Sequence, residues 1–157
     1  MPVRVQTDDL DAGRELAALR SGDCSVGAVA AFIGTVRDVN ADASVSSMTL
    51  EHYPGMTEKA LSDIVAEAKA RWDIVDALVI HRVGALKPAD QIVLVGVTSA
   101  HRGEAFAACR YMIERVKQIV PIWKHEHFEG GDVWLEGATA NPDDEAARDQ
   151  ARRIACA

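Results

Sequence analysis

Two stretches of this chain carry apolar residues at helical spacing, and paired strand-like runs surround them. Leu61, Ile64, Val65, Ala68 and Trp72 recur on a 3.6-residue period, which is one face of a helix. Phe106, Cys109, Ile113, Val116 and Val120 do the same from about Gly103 to Ile119. Pro121 ends that second helix, because the residue before a proline is pushed out of the α region. Ile74 to Val83 and Gln91 to Thr98 read as strands on either side of a Lys87-Pro88-Ala89-Asp90 turn. Ile122 to Phe128 and Val133 to Glu136 read as a final pair around Gly130-Gly131. A doubly wound parallel sheet needs a helix after nearly every strand, and this pattern lacks one. The expected class is therefore α+β with a mainly antiparallel sheet.

The N-terminal third adds a short strand at Val3 to Gln6 and a helix at Asp9 to Leu19 with Leu10, Leu16 and Leu19 on one side. Gly27 to Val36 and Val45 to Tyr53 are strand candidates separated by a polar loop from Asp38 to Ser44, a spacing that suggests a hairpin. No linker or repeat divides the 157 residues, so residues 1–140 are expected to form a single domain. From Asn141 onward the chain is mostly Ala, Asp, Glu and Arg, and residues 141–157 read as a polar C-terminal helix or tail. Apolar residues make up 48%, too many for a chain disordered throughout.

Charge and cysteine content narrow the function classes. Seventeen basic residues against 24 acidic ones leave a net charge of −7, which argues against nonspecific nucleic-acid binding. No apolar run approaches a membrane span, and Met1-Pro2-Val3-Arg4 has no signal-like segment, so a cytoplasmic protein is expected. Cys24, Cys109 and Cys156 are odd in number and widely spaced, which fits incidental or buried thiols better than disulfides or a zinc site.

The sequence has no glycine-rich dinucleotide fingerprint, Walker loop, His-Glu-x-x-His or Gly-x-Ser-x-Gly. What stands out is a set of basic residues at or near the ends of predicted elements. Arg37 closes the first long strand in Phe32-Ile33-Gly34-Thr35-Val36-Arg37, where Gly34 permits close approach of a backbone or ligand. His101 and Arg102 fall where a strand passes into a helix, a position that suits anions. Lys117 sits one turn before a helix end, beside Val116, and Lys124 follows in Pro121-Ile122-Trp123-Lys124-His125-Glu126. Any one of these taken alone is most simply a solvated charge. Together they suggest an anion pocket, and a lysine among other cations in a partly buried site becomes a usable base or nucleophile. His125 and His127 share a strand face, but no third ligand for a catalytic metal is evident among Glu51, His52, His101 or Glu126.

These residues fall into blocks that resemble the molybdopterin synthase catalytic (large) subunit family. The blocks are Phe32 to Arg37 with Asn40, Leu50-Glu51-His52-Tyr53-Pro54-Gly55-Met56, Ile80-His81-Arg82-Val83-Gly84, Val95 to Arg102, and Lys117 with Pro121 to Glu126. They run in the family's order over about residues 27–136. The resemblance implies an α/β hammerhead-type fold with a small added antiparallel subdomain. It implies a sulfurtransferase that builds the molybdopterin dithiolene on precursor Z, a cyclic pyranopterin monophosphate, without a metal or other cofactor. Sulfur would arrive as a thiocarboxylate on the C-terminal Gly-Gly of a small ubiquitin-like carrier subunit, in a heterotetramer built on a homodimer of large subunits. Carried over residue by residue, Lys117 and Lys124 are the catalytic candidates. Thr35, Val36, Arg37, His101, Arg102, Lys117, Lys124, His125 and Glu126 are the substrate-binding ones. This chain departs from the family at Thr35, where many members carry Lys or another polar residue, and in Gly137-Ala138-Thr139, which lacks a basic residue some members have. The rival classes are a noncatalytic module that binds an anionic tail through the same cluster, and a metal hydrolase built on His125 and His127.

Overall fold

A computed structural model describes residues 2–40, 43–128 and 131–136, with side chains described for 2–38 and 47–125. The expected tail at 141–157 and the Gly137-Ala138-Thr139 segment lie outside the described residues. So do the side chains of Glu126 and His127.

The described residues form two sheets. The first contains β1 (Val3–Gln6), β5 (Asp76–Arg82), β7 (Gln91–Ser99) and β2 (Ala28–Thr35), side by side in that order. Only the β1–β5 pair is parallel there; β5–β7 and β7–β2 are antiparallel. β5 and β7 are buried along nearly their whole length because both faces of the sheet are covered. On one face, α1 (Ala12–Leu19) sets Leu16 and Leu19 against Leu78, Ile80 and Leu94. On the other lie α2 (Met56–Arg71) and α3 (Arg102–Ile119), whose buried residues join Val79, Val93, Val95 and Val97 in the main core. Trp72 packs on Tyr111 with ring centroids 5.1 Å apart, tying the end of α2 to α3.

The second sheet is the added antiparallel subdomain. β3 (Val39–Asn40), β4 (Ala43–His52), β8 (Ile122–Phe128) and β9 (Gly131–Glu136) follow in that order, and β6 (Gly84–Leu86) also pairs with β4. The expected α+β class is therefore what forms. The expected hairpin between residues 27–36 and 45–53 does not. β2 pairs with β7, and β4 pairs with β6 and β8. The apolar run of β7 offers Ala30 a buried neighbour, which a polar hairpin partner such as Ser44-Val45-Ser46-Ser47 would not. Part of the predicted Asp38 to Ser44 loop is also paired, with Val39 opposite Ser44 and Asn40 opposite Ala43.

The apolar stripe of α3 is rotated from the one read off its large residues. Ala105, Ala108, Cys109, Met112 and Val116 face inward, while Phe106 is 66% exposed. The alanines let the helix lie close on β2 and β7, and a reading weighted toward large side chains passes over them. Burial pushes the Cys109 thiol up to about 11, so it is a packing residue rather than a nucleophile. Cys24 is exposed.

Among the described residues, Gly27 and Gly34 stand where the chain makes a close approach. At Gly34 a Cβ would stand 2.8 Å from Val93 Cγ1, so the approach expected there is made by the neighbouring strand. At Gly27 it would stand 2.3 Å from the Ala100 carbonyl oxygen, a backbone atom that cannot swing aside. Gly27→Ala is expected to cost about 1–3 kcal/mol, as overpacking does, and to lower Tm by several degrees in thermal unfolding. An unchanged Tm would contradict this packing.

Candidate active site

Chain direction sorts the basic residues into two groups. β7 runs from Gln91 to Ser99, and α3 returns across the sheet from Arg102 to Ile119. β2 is antiparallel to β7, with Ala28 opposite Ser99 and Thr35 opposite Gln91. The Val36 N–H donates to the Asp90 carbonyl at 2.9 Å, and the Ala89 N–H donates to the Val36 carbonyl at 2.8 Å. Arg37 therefore leaves the sheet at the end where α3 finishes. His101 and Arg102 stand at the other end. The fifteen residues from Arg102 to Lys117 rise about 22 Å at 1.5 Å each.

Lys117 and Lys124 come together. The residue before Pro121, Val120, takes an extended conformation (φ −74°, ψ 129°), as a pre-proline residue should. The chain turns there into β8, where Lys124 stands opposite Leu50 of β4. The two lysines then line one cavity with Met48, Leu50, His81, Ile92, Val116, Val120 and Ile122. Its volume is about 40 Å³, room for about three water-sized groups.

The electrostatics of this cavity are unusual. Lys117 is exposed by surface area, yet protein surrounds its ammonium on most sides. That burial, followed by the charge of Lys124, lowers its pKa to about 8. His81 is buried, and its Nδ1 lies 2.7 Å from the Arg82 carbonyl oxygen. A carbonyl only accepts, so Nδ1 carries the proton and Nε2 is the bare acceptor. Burial, with smaller contributions from the Lys117 and His52 charges, holds His81 down at about 4, so it is neutral at pH 7.

The other predicted site residues do not line this cavity. Thr35 and Arg37 are exposed and Val36 is buried in the core. His101 is the exposed N-cap of α3, with no side-chain capping bond, and Arg102 is exposed beside it. His125 follows Lys124 on β8, so its side chain leaves from the opposite face of the strand. Glu126 follows on the same strand, opposite Met48. Sequence reasoning gave His81 no role of its own. The available signal was an imidazole at the end of the otherwise apolar run Ala77-Leu78-Val79-Ile80. Its neighbour Arg82 is structural. It donates to the carbonyls of Thr7 and Gln91 and reaches Asp9, fastening the β1–α1 loop to β7. Among the described residues no three His, Cys, Asp or Glu side chains converge on a metal position, and no helix is long and apolar enough to cross a membrane.

Comparison with known proteins places this geometry. The model of the MoaE protein family matches residues 5–119. A molybdopterin synthase catalytic subunit from Ralstonia nicotianae is 60% identical over 134 residues, covering 85% of this chain and 76% of the relative. The solved molybdopterin biosynthesis MoaE protein of Burkholderia ambifaria superposes with a TM-score of 0.76 at 47% identity, over 94% of this chain and 95% of its own. A subunit in a Helicobacter pylori protein–protein complex of subunits 1 and 2 of molybdopterin-converting factor shares the fold, with a TM-score of 0.71 at 19% identity, over 86% and 90% of the two chains. With the family matched over most of its length and relatives this similar, the chain belongs to the MoaE family of molybdopterin synthase catalytic subunits.

Proposed function

We propose that the chain transfers sulfur from the thiocarboxylate tail of a small carrier subunit to precursor Z, in the cytoplasm, forming the molybdopterin dithiolene. The observation that carries this reading is the small cavity ending on two lysines. A Gly-Gly tail is narrow and extended, and its terminal thiocarboxylate is an anion of the size the cavity holds. Lys117 and Lys124 supply the countercharge, and an inserted tail displaces water from the otherwise apolar walls, which strengthens such contacts. For each of the two dithiolene sulfurs, the thiocarboxylate sulfur bonds to a pterin side-chain carbon as that carbon's C–O bond breaks and its oxygen leaves protonated; water then hydrolyses the acyl–sulfur bond, returning a carboxylate tail and leaving a thiolate on the pterin. Lys117 as an ammonium stabilises the charge that develops on the acyl oxygen during hydrolysis. No metal or cofactor takes part in this scheme. The H. pylori structure that shares this fold is a complex of two subunits, which is compatible with a protein partner here.

The pterin ring and its cyclic phosphate must lie outside the cavity, where Arg37 is available at the same end of the sheet. His101 and Arg102 are out of reach in the same chain. A second copy supplies them if the two chains pair through β2. That strand is the edge of its sheet and exposes Val29, Phe32 and Ile33. Antiparallel β2–β2′ pairing about a twofold axis sets the Arg37 end of one strand against the Ala28 end of the other. The partner's α3 N-terminus is then brought toward Arg37. We take a homodimer with shared sites, carrying a small subunit on each copy, as the working assembly.

The test is reconstitution of purified protein with precursor Z and thiocarboxylated carrier, with molybdopterin read by fluorescence of its oxidised derivative. Product is expected, and none when the carrier lacks its last two glycines. Activity with the shortened carrier would refute tail insertion. The role of Lys117 also fixes the sign of the pH dependence. Its pKa is lowered to about 8, so the ammonium is present below that pH and lost above it. kcat/KM is expected to fall as pH rises through about 8. A rise through the same range would make Lys117 a base instead.

A further inference from the structure

We propose that His52 is the general base of the hydrolytic step, taking a proton from the water that attacks the acyl–sulfur bond at the lysine cavity. The proposal rests on the sulfur-transfer reading and supplies a group that reading lacks. Lys117 acts there as an ammonium, which has donors and no acceptor. His81 is held at about 4, too weak a base near pH 7. Among the described residues lining the cavity there is no carboxylate.

Strand register places His52 at the edge of the cavity. Met48 and Leu50 of β4 line it, as do Ile122 and Lys124 of β8. His52 comes two residues after Leu50, so it leaves from the same face of the strand. It stands directly opposite Ile122, while Lys124 stands opposite Leu50. His52 and Lys124 are therefore diagonal neighbours on one face, with backbones about 7–8 Å apart. An imidazole and one water span that gap.

Hydrogen bonds fix which nitrogen is the base. The Thr57 hydroxyl donates to the Tyr53 carbonyl at 2.9 Å. That uses its one proton, so toward His52 Nδ1, 3.2 Å away, the hydroxyl oxygen is an acceptor. Nδ1 therefore carries the imidazole proton, and Nε2 carries the lone pair. Thr57 is fully buried in the first turn of α2, so the ring is held from a rigid point. An acceptor on Nδ1–H is how a catalytic imidazole is kept in its working tautomer. His52 is half-buried. Its Nε2 is not among the buried nitrogens left without a partner, which are Arg4 Nε and Arg115 Nε among the described residues. It opens on solvent, the source of the attacking water. In the step, the water oxygen bonds to the acyl carbon as its proton passes to Nε2. The acyl–sulfur bond then breaks, and its electron pair leaves with sulfur as the pterin thiolate. The new carboxyl group and the imidazolium each release a proton to solvent.

Single turnovers of the full chain with precursor Z and thiocarboxylated carrier test this, quenched in acid and read by intact mass of the carrier. A carrier–pterin adduct marks the acyl–sulfur intermediate. His52→Asn keeps an N–H for Thr57 and removes Nε2. It is expected to form the adduct at the wild-type rate and to slow its decay about 100-fold. His52→Gln, which has an amide and no base, is the second variant and should behave alike. Added imidazole should restore part of the decay in His52→Ala, which a purely structural role does not allow. Thr57→Val should slow the decay less, and Thr57→Ser, which keeps the hydroxyl, should recover it. Adduct decay at the wild-type rate in either position-52 amide variant would overturn the proposal. So would variants in which the adduct never forms, since that places His52 in the first step. A wild-type chain yielding neither adduct nor product would refute sulfur transfer itself, and the base with it.

Discussion

Lys117→Ala is expected to abolish molybdopterin formation, by at least about 10³-fold, which is the scale of losing a principal charge-stabilising group. The protein should still fold, because Lys117 is not among the buried residues of α3, which are Ala105, Ala108, Cys109, Met112 and Val116. Stability is expected to move the other way from activity. Protein around the ammonium and the nearby Lys124 lower the Lys117 pKa to about 8, whereas an unfolded chain holds its lysine protons to a higher pH. The folded state therefore binds this proton less tightly, and near neutral pH Lys117 costs stability that is recovered as pH rises through the folded value. Water reaches the group, so the cost after screening is about 1 kcal/mol. Lys117→Met removes the charge and keeps the volume. Its Tm at pH 7 should rise by about 2–4 °C, and the gain should shrink toward pH 10. A variant with near-wild-type turnover would remove Lys117 from the mechanism. A lowered Tm would mean that the surroundings stabilise its charge. Such opposed effects are common where an active site holds a group that the fold alone would reject.

The parts of this structure legible in the sequence are those set by local periodicity. The stripe Leu61, Ile64, Val65 and Ala68 is buried as read. The turn at Lys87-Pro88-Ala89-Asp90 closes with the Asp90 N–H donating to the Lys87 carbonyl at 3.0 Å. What failed was nonlocal. Nothing within residues 27–53 says that β2 must join β7 while β4 crosses to a second sheet, since that choice depends on burial that distant strands provide. The three-residue β6 is too short to show a period. On α3, Phe106 outweighed Ala105 and Ala108 because side-chain size was taken for burial. The candidate site divides in the same way. Proximity to an element end was readable for Arg37, His101, Arg102 and Lys117. Which end of the sheet each residue occupies was not, and there the group separates into two. His81 was hidden because an apolar strand is read for its apolar residues, and the bond that fixes its tautomer belongs to the backbone.

Mixing two inactive variants should restore activity. If each site takes Arg37, Lys117 and Lys124 from one chain and His101 and Arg102 from the other, a dimer of a Lys117→Ala chain with a His101→Ala/Arg102→Ala chain has unequal sites. One site carries all the substitutions and the other carries none. Random exchange between equal amounts makes half the dimers mixed, each with one intact site of two, so about a quarter of wild-type activity is expected. The geometry demands this outcome if both groups serve one substrate. The helix that joins them is rigid, and its length of about 22 Å between Arg102 and Lys117 exceeds the span of a pterin monophosphate. In the proposed pairing, exposed Val29, Phe32 and Ile33 on the edge strand β2 form the contact surface, so Ile33→Lys should yield monomers in sedimentation and lose activity with Lys117 untouched. Mixtures that stay inactive although subunits exchange would show that His101 and Arg102 act elsewhere than at the lysine cavity. Full activity of His101→Ala/Arg102→Ala alone would show that the anion is held by Arg37 and the lysines of a single chain.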